Sequence, residues 1–292
     1  MKIYADLHTH SIHSDGELTP GELLGLAAKN GLHAIALTDH DSLGGVAQAA
    51  ERGRELGIEV IPGCELTVYE GSMELHILGL FVEISPGTAL AELLARMQDA
   101  RRVRALQMAR QLREAGVPIE DADVLRAAGA AQSAGRPHVA AALVQRGHAR
   151  DGKQAFVKFL GEGRPGYVKK FALAPESAFA AVHAAGGVAL LAHPGRTQHD
   201  ELIARLFRQG MDGIEALYRS HSMPNQRFYS GLASRYEKVV CGGSDYHGPR
   251  MTPRIQPGDG GVDRATLEDL RRAAMRVRAV SPLPRVGEGW RV

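Results

Sequence analysis

The sequence is poor in the residues on which several classes of protein depend. Only two of its 292 residues are cysteine, Cys64 and Cys241, and they lie far apart in the chain. This is too few for a disulfide-stabilised secreted domain, so we expect two buried thiols in a reducing cytoplasm. No apolar run approaches the ~18 residues of a membrane-spanning helix, and the N-terminal segment lacks the apolar stretch of an export signal. These absences predict a soluble cytoplasmic protein with no membrane partner.

Aromatic residues and net charge are also low. Phe, Trp and Tyr together make up 5% of the chain, and the formal net charge is +2. A platform that stacks many bases needs more aromatic side chains, and a surface that coats a polyanion needs more positive charge. Any contact with a nucleic acid should therefore be local, at a pocket, and nothing in the composition indicates a protein partner.

Short apolar segments alternate with amphipathic segments along most of the chain. The stretch TPGELLGLAAKNG, for example, predicts a helix with Thr19 as its N-cap and Pro20 in its first turn. Repeated strand–helix units of this length favour parallel strands joined by right-handed crossovers, as in a barrel or an open doubly wound sheet. The predicted fold class is therefore α/β.

This alternation stops after Pro86. A long helical pattern begins at Thr88, and alanine-rich helical sequence without a convincing strand continues to about residue 166. Strands and helices then alternate again to the end of the chain. The pattern predicts a helical insertion over residues 99–166, which divides an α/β domain into residues 1–98 and 167–292.

Imidazole and carboxylate side chains are concentrated at the ends of the predicted strands. The stretch DLHTHSIHSDG places three histidines and two aspartates directly after the first apolar segment. His8 and His10 are alternate residues and can share one face of a strand, and a metal ion is the usual partner of such a buried set. Similar groups occur later, in the stretches LTDHD, PGCELT, ELHILG, LAHPG and GGSDYHG.

The types of donor indicate which cation would bind. Imidazole with a bridging carboxylate suits Zn, Mn or Fe(II), whereas a set of oxygen atoms alone would suit Mg or Ca. The HxH and SDYH motifs are each as often incidental as functional when they occur alone. Their joint placement at strand ends resembles the layout of barrel enzymes and favours a site for two or three ions.

Taken in order, these motifs resemble those of the PHP (polymerase and histidinol phosphatase) superfamily over roughly residues 1–90 and 165–260. The resemblance implies a distorted (β/α)7 barrel and a di- or trinuclear site that holds Mn²⁺, with Zn or Fe as alternatives. It also implies that nine residues are metal ligands: His8, His10, Asp15, His40, Glu65, His76, His193, Asp245 and His247. The family pattern divides them into three sets: His8, His10, Glu65 and Asp245; Glu65, His76 and His193; and Asp15, His40 and His247.

Such a site favours phosphoester hydrolysis by a metal-activated hydroxide, because clustered divalent ions lower the pKa of bound water and bind phosphate oxygens. We expect Asp15, His40, Asp245 and His247 to be catalytic as well as metal-binding. The group that protonates the leaving oxygen stays open between His221 and a water near Asp15.

Substrate recognition is expected from the insertion and from loops after the strands. Arg136 and His138 begin a predicted helix, where an arginine and a helix N-terminus suit a phosphate group. The other predicted substrate contacts are Arg102, Arg196 and Arg219. For each arginine the alternative is a solvated or structural ion pair, which is the commoner fate of a surface arginine.

The resemblance is strongest to the branch of the superfamily that has a helical insertion and acts on nucleotides. It implies hydrolysis of the 3′-phosphate of nucleoside 3′,5′-bisphosphates, with 5′→3′ trimming of short 5′-phosphorylated RNA as the alternative. Histidinol phosphatase is less favoured because of the insertion. A non-catalytic interaction module is disfavoured because every ligand position of the family is filled.

Overall fold

The computed structural model describes residues 2–129, 135–169, 172–197 and 200–280. Within these ranges the chain has ten α-helices and one seven-stranded sheet. The strands are β1 (Ala5–Asp6), β2 (Ala34–Leu37), β3 (Glu59–Glu70), β4 (Met73–Leu80), β5 (Val188–Leu191), β6 (Gly213–Glu215) and β7 (Val239–Cys241). The helices are α1 (Pro20–Lys29), α2 (Val46–Leu56), α3 (Ala89–Glu114), α4 (Asp121–Ala128), α5 (Arg136–Gln145), α6 (Gly152–Ala155), α7 (Pro175–Ala184), α8 (Asp200–Arg208), α9 (Met223–Arg235) and α10 (Arg264–Val280).

The chain forms two compact units. The first consists of Met1–Leu93 together with Leu173–Val292, and it contains the sheet. The second, Leu94–Ala172, is helical and has its own apolar core, in which Met108, Leu112 and Leu143 are fully buried.

The seven strands of the first unit follow one another in the sheet in chain order. Neighbours among β1, β2 and β3 are parallel, as are neighbours among β5, β6 and β7. In contrast, β4 is antiparallel to both β3 and β5. The prediction of parallel strands is therefore wrong for β4. The reason is the connection from β3, where Gly71 and Ser72 alone separate the paired residues Glu70 and Met73, too short a segment for a crossover helix.

The sheet is curled, and hydrogen bonds join the segments that follow its two edge strands. The amide of Leu7 donates to the Gly242 carbonyl at 3.2 Å, and the amide of Asp245 donates to the His8 carbonyl at 2.9 Å. Gly243 permits this close approach, because a Cβ atom there would lie 2.3 Å from the Cβ of His8. The first and last predicted metal motifs therefore lie side by side.

Burial explains why these segments form the sheet and its covering helices. Every residue of β2 and of β5 is buried, as expected for strands covered on both faces. Helix α1 begins as predicted, because the Thr19 hydroxyl accepts from the amide of Glu22 while the Glu22 carboxylate accepts from the amide of Thr19. Both cysteines are buried free thiols, also as predicted.

No helix in the described parts of the chain is both long enough and apolar enough to cross a lipid bilayer.

Candidate metal centre

The nine predicted ligands lie together in the first unit, at the ends of its strands or within them. His8, His40, His193 and Asp245 follow β1, β2, β5 and β7, whereas Glu65 and His76 lie within β3 and β4. All nine form one continuous cluster in which every side chain has another member within 3.4 Å.

Glu65 lies at the centre of this cluster. One of its oxygen atoms, Oε2, is 3.2–3.3 Å from ring nitrogen atoms of His8, His10 and His40. The other, Oε1, is 2.8 Å from His76 Nδ1 and 3.1 Å from His193 Nε2. A single carboxylate that faces five imidazoles would be suited to bridge two ions if they were bound.

Three overlapping groups have donor atoms close enough to share an ion. They are His8, His10, Glu65 and Asp245; His40, Glu65 and His76; and His10, Asp15, His40 and His247. The first matches a predicted set. The other two differ from prediction, because His40 rather than His193 completes the group with His76, and His10 joins the group with Asp15.

The hydrogen bonding of the cluster is incomplete in the way that a metal site requires. Within the described chain, both ring nitrogen atoms of His10 and Nδ1 of His40 are buried without a hydrogen-bond partner. Leaving such donors or acceptors unsatisfied costs about 1–3 kcal/mol each, and divalent cations would satisfy them. The donor set, with six imidazoles and three carboxylates, fits Mn, Zn or Fe(II) better than Mg or Ca.

Two of the predicted ligands have strained backbones. His193 has φ of 31° and Asp245 has φ of 56°, both in the left-handed region that non-glycine residues rarely adopt. Such a conformation costs about 1–3 kcal/mol and persists only where the surroundings enforce it. Its presence at two metal-facing residues indicates that the fold is built around the positions of these side chains.

The charges of the cluster are strongly coupled. Burial alone would lower the pKa of His76, but the carboxylates of Glu65 and Glu74 raise it to about 9. Burial likewise opposes the shift of Asp245, whose pKa the neighbouring His8 and His10 hold well below its usual range. Burial lowers the pKa of His40 to about 3. Without a metal ion, the cluster therefore contains protonated imidazoles, such as that of His76, beside ionised carboxylates, such as that of Asp245.

Asp15 reaches the cluster from a loop that a buried carboxylate fixes. Asp39 accepts hydrogen bonds from the amide and the hydroxyl of Ser11 and from the hydroxyl of Ser14, each at 2.7 Å. Asp15 itself is half exposed and lies 3.4 Å from His247 and 3.8 Å from His40. Asp39 thus acts through the loop, and Asp15 is the carboxylate of the set that faces solvent.

Glu215, at the end of β6, is a member of the site that sequence reasoning missed. Its Oε1 lies 3.0 Å from Nδ1 of His8, and its Oε2 accepts from the amide of His193 at 2.7 Å. A carboxylate behind an imidazole fixes the tautomer of the ring and aims its other nitrogen at the ion. The stretch MDGIEALY carries no motif around Glu215, so the sequence offered no signal beyond an acidic residue within an apolar segment.

The predicted substrate contacts of the first unit differ in their surroundings. The guanidinium of Arg196 donates to Tyr218 at 2.8 Å and to Asp245 at 3.1 Å, and it lines an open cavity of about 350 Å³. This cavity also exposes Asp15, His40, Glu65, His76, His193, Asp245 and His247. Arg219 instead donates to the carbonyl of Arg254 and lies 3.7 Å from Asp259. These contacts favour a structural role for Arg219, and its contact with substrate stays a prediction.

His221 does not present a free nitrogen atom to the site. Its Nδ1 is 3.1 Å from the carbonyl oxygen of Ala216, and its Nε2 accepts from the amide of Gly195 at 3.2 Å. The geometry therefore does not support the prediction that His221 protonates the leaving oxygen.

The remaining predicted contacts belong to the helical unit. Arg136 is the first residue of α5, with its guanidinium 5.0 Å from the ring centre of Phe156. His138 Nδ1 accepts from the amide of Gly135 at 2.9 Å, which caps the same helix. Arg102 is an exposed residue of α3. Their role in binding substrate stays a prediction.

Known proteins resemble the chain over most of its length. The model of the PHP domain family matches residues 6–160. A 3′,5′-nucleoside bisphosphate phosphatase from Chromobacterium violaceum is 36% identical over 270 residues, covering 91% of this chain and 92% of the relative. A 5′-3′ exoribonuclease from Haemophilus influenzae is 34% identical over 258 residues, covering 84% and 90%.

A solved structure extends the similarity to the whole fold. A protein from Bifidobacterium adolescentis described as a metal-dependent phosphoesterase is 28% identical and superposes with a TM-score of 0.77, covering 97% of this chain and 98% of that one. The family model covers the first four predicted metal motifs. The alignment with the C. violaceum relative covers 91% of the chain. The chain therefore belongs to the PHP domain family.

Proposed function

We propose that this chain is a metal-dependent phosphomonoesterase that removes the 3′-phosphate of nucleoside 3′,5′-bisphosphates, leaving a nucleoside 5′-monophosphate and inorganic phosphate. The observation that carries the proposal is the cluster of six imidazoles and three carboxylates at an open cavity, in a chain whose relative from C. violaceum is named for this activity. The structural neighbour from B. adolescentis is likewise described as a metal-dependent phosphoesterase.

The three donor groups would hold two or three divalent ions, and we propose Mn²⁺ as the native metal because mixed imidazole and carboxylate donors suit it. When bound, such ions supply a hydroxide near neutral pH and offset charge on phosphate oxygens. Arg196 is held by Tyr218 and Asp245 at the rim of the cavity, where a guanidinium can bind a phosphate.

Asp15 is suited to accepting a hydrogen bond and poorly suited to donating a proton. Burial would raise the pKa of Asp15, but a hydrogen bond with His247 and the charges of His40 and His10 hold it well below its usual range. Asp15 is therefore ionised near neutral pH, and it can orient a water or a substrate hydroxyl at the mouth of the cavity.

We also propose the finer architecture that the resemblance implies. The curled sheet would be a distorted (β/α)7 barrel formed by residues 1–98 and 167–292, and residues 99–166 would be an insertion that selects the substrate. Seven strands in chain order and a separately packed helical unit support this division. A cytoplasmic location stays a prediction.

Release of inorganic phosphate by the Mn²⁺-loaded protein tests the function. We expect adenosine 3′,5′-bisphosphate to be hydrolysed to AMP with a kcat/KM at least ~100-fold above that for AMP or histidinol phosphate, since a site with partners for two phosphates rejects ligands that lack one. The variant Asp245→Ala is the control for contaminating phosphatase. Comparable turnover of all three compounds would contradict the proposal.

A second function is favoured by one observation, the similarity to the exoribonuclease from H. influenzae. The same assay should therefore include a 5′-phosphorylated short RNA. Release of mononucleotides from its 5′ end, with a kcat/KM above that for the bisphosphate, would make the chain an exoribonuclease with the same metal centre.

The proposed substrate role of the helical unit makes a separate prediction. Arg136→Ala should raise KM for the bisphosphate about tenfold, the effect of losing one charge-assisted contact of ~1.4 kcal/mol, without lowering Mn²⁺ content. Arg150→Ala is the matched control, because Arg150 is an exposed arginine of the same unit that pairs with Asp151. Equal KM values for the two variants would remove Arg136 from the binding site.

A further inference from the structure

We infer that His221 is a positioning residue that fixes the turn carrying the metal ligand His193, and that it transfers no proton during the reaction. The inference rests on the proposed metal-dependent hydrolysis only in taking His193 as a ligand. It replaces the acid role that the sequence predicts for this histidine.

The two hydrogen bonds of His221 define its protonation state. A peptide N–H can only donate and a peptide carbonyl can only accept. The imidazole must therefore carry its proton on Nδ1, facing the carbonyl of Ala216, and use Nε2 to accept from the amide of Gly195. In this neutral tautomer both ring nitrogen atoms are occupied, so the ring has neither a proton nor a lone pair to offer a substrate.

Packing prevents the ring from turning towards the cavity. His221 is buried between the rings of Tyr218 and Tyr229, with centroid distances of 5.2 and 5.0 Å. Against its other edge lies Gly195, where a Cβ atom would be only 2.7 Å from Nε2. Of the described residues, Tyr218 and Arg196 line the cavity at this point, whereas His221 does not.

The turn next to His221 needs to be held in place. His193 is in the left-handed conformation, which costs about 1–3 kcal/mol for a residue with a side chain. Two successive anchors oppose its relaxation: the carboxylate of Glu215 accepts from the amide of His193 at 2.7 Å, and His221 accepts from the amide of Gly195 two residues later. Both anchors belong to the segment from β6 to the start of α9.

The ring of His193 depends on this turn for its place in the cluster. Its Nε2 lies 3.1 Å from the central carboxylate of Glu65. If the anchor at Gly195 is lost, the backbone of His193 can relax towards the right-handed region, and its Nε2 is then displaced from its place beside Glu65. His221 thus acts on the ion through the backbone of Gly195 and the ring of His193.

Affinity for Mn²⁺, measured by titration of the metal-free full-length protein, tests the inference without any substrate. His221→Ala should weaken binding about 10–100-fold, the usual effect of removing an outer support of a metal site. His221→Gln should restore affinity to within a few-fold of the wild type, because its amide oxygen can accept from Gly195 although it cannot exchange a proton. Equal losses in the two variants, or no loss in either, would overturn the inference.

Kinetics distinguish positioning from acid catalysis. A general acid matters most for a poor leaving group, so its loss should reduce kcat for a nucleotide phosphate far more than for p-nitrophenyl phosphate. We expect His221→Ala at saturating Mn²⁺ to reduce kcat for both by the same factor. Should the wild type hydrolyse neither compound, the proposed function would be wrong, while the metal titration would still decide the role of His221.

A double-mutant cycle identifies Gly195 as the point of contact. Gly195→Ala should weaken Mn²⁺ binding in the wild type, because its new methyl group collides with the ring of His221. In the His221→Ala background the collision partner is absent, so the further loss should be less than half as large on a logarithmic scale, a coupling typical of contacting residues. Additive losses would show that the two residues act independently and would overturn the inference.

Discussion

Replacing Glu65 with glutamine is expected to reduce Mn²⁺ affinity and phosphatase activity by more than about 100-fold, while the protein stays folded. Glutamine has nearly the size and shape of glutamate, so the packing of β3 should be preserved. One oxygen atom, however, becomes an amide NH₂ group, which donates hydrogen bonds and cannot bind a cation.

The size of this effect follows from the position of Glu65. Its two oxygen atoms face five imidazoles, those of His8, His10, His40, His76 and His193. It also belongs to two of the three groups that could hold an ion. If ions occupied both groups, the loss of one oxygen atom would weaken both sites at once, and it would remove a buried negative charge that offsets theirs.

Glu215→Gln is the matched control for this substitution. Glu215 is an equally buried carboxylate at the same end of the sheet, but it lies behind His8 and belongs to none of the three donor groups found among the described residues. Its replacement should weaken Mn²⁺ binding by only about 10–100-fold, as expected for an outer-shell partner. Metal content after dialysis and thermal unfolding would be measured for both variants. A larger loss in Glu215→Gln than in Glu65→Gln would show that Glu65 does not bridge the ions.

The sequence predicted the order of the elements well, because each is short and its apolar period is clear. It failed on the direction of β4, because periodicity reports which face of a strand is buried but not which way the strand runs. The information lay in the length of a turn: Gly71 and Ser72 leave no room for a crossover. The joining of the two sheet edges, from Leu7 to Gly242, could not be predicted from periodicity, because it depends on curvature accumulated over all seven strands. Only the resemblance to a barrel family implied it.

At the candidate site, too, the sequence predicts some residues and misses others. The predicted ligands stand out in the sequence because histidines and acids are rare in apolar strands. The structure brings all nine together, and their binding of metal stays a prediction. Residues that act through another group carry no such signal. Asp39 and Glu215 are acids near predicted strand ends, and their partners are distant in the chain. A histidine near a cluster of ligands suggests proton transfer, which is why the sequence predicts an acid role for His221. The positioning role that we infer instead depends on two backbone contacts that the sequence does not show.

Affinity for Mn²⁺ is expected to rise steeply with pH from about pH 6 to pH 8.5, approaching a tenfold gain per pH unit for each proton displaced. Burial alone would lower the pKa of His10, but the carboxylates of Asp245 and Glu65, which lie 3.4 and 3.3 Å from its Nε2, raise it to about 10, and the pKa of His76 is similarly raised to about 9. At neutral pH both imidazoles carry protons in the metal-free protein, and a cation can bind only where they leave.

The stability of the metal-free protein should change in the opposite direction. Because the folded-state pKa values of His10 and His76 lie above the ordinary 6.5, their protons stabilise the fold fully below pH 6.5, and this stabilisation is lost as the pH rises through 9 and 10. Asp15 and Asp245 have lowered pKa values, so their contribution is present above their ordinary 3.8 and is lost as the pH falls. Between these limits the metal-free protein should be most stable.

Calorimetric titration with Mn²⁺ in buffers of different ionisation enthalpy would count the protons released. We expect between one and two at about pH 7, and about one fewer for His76→Gln, in which a neutral amide replaces the protonated ring. The increase in melting temperature caused by Mn²⁺ should grow with pH over the same range, because binding strengthens while the metal-free protein loses stability. Binding that releases no proton, with an affinity independent of pH, would mean that His10 and His76 are already neutral in the metal-free protein. The carboxylates around them would then be too weakly coupled to the imidazoles to act as one centre.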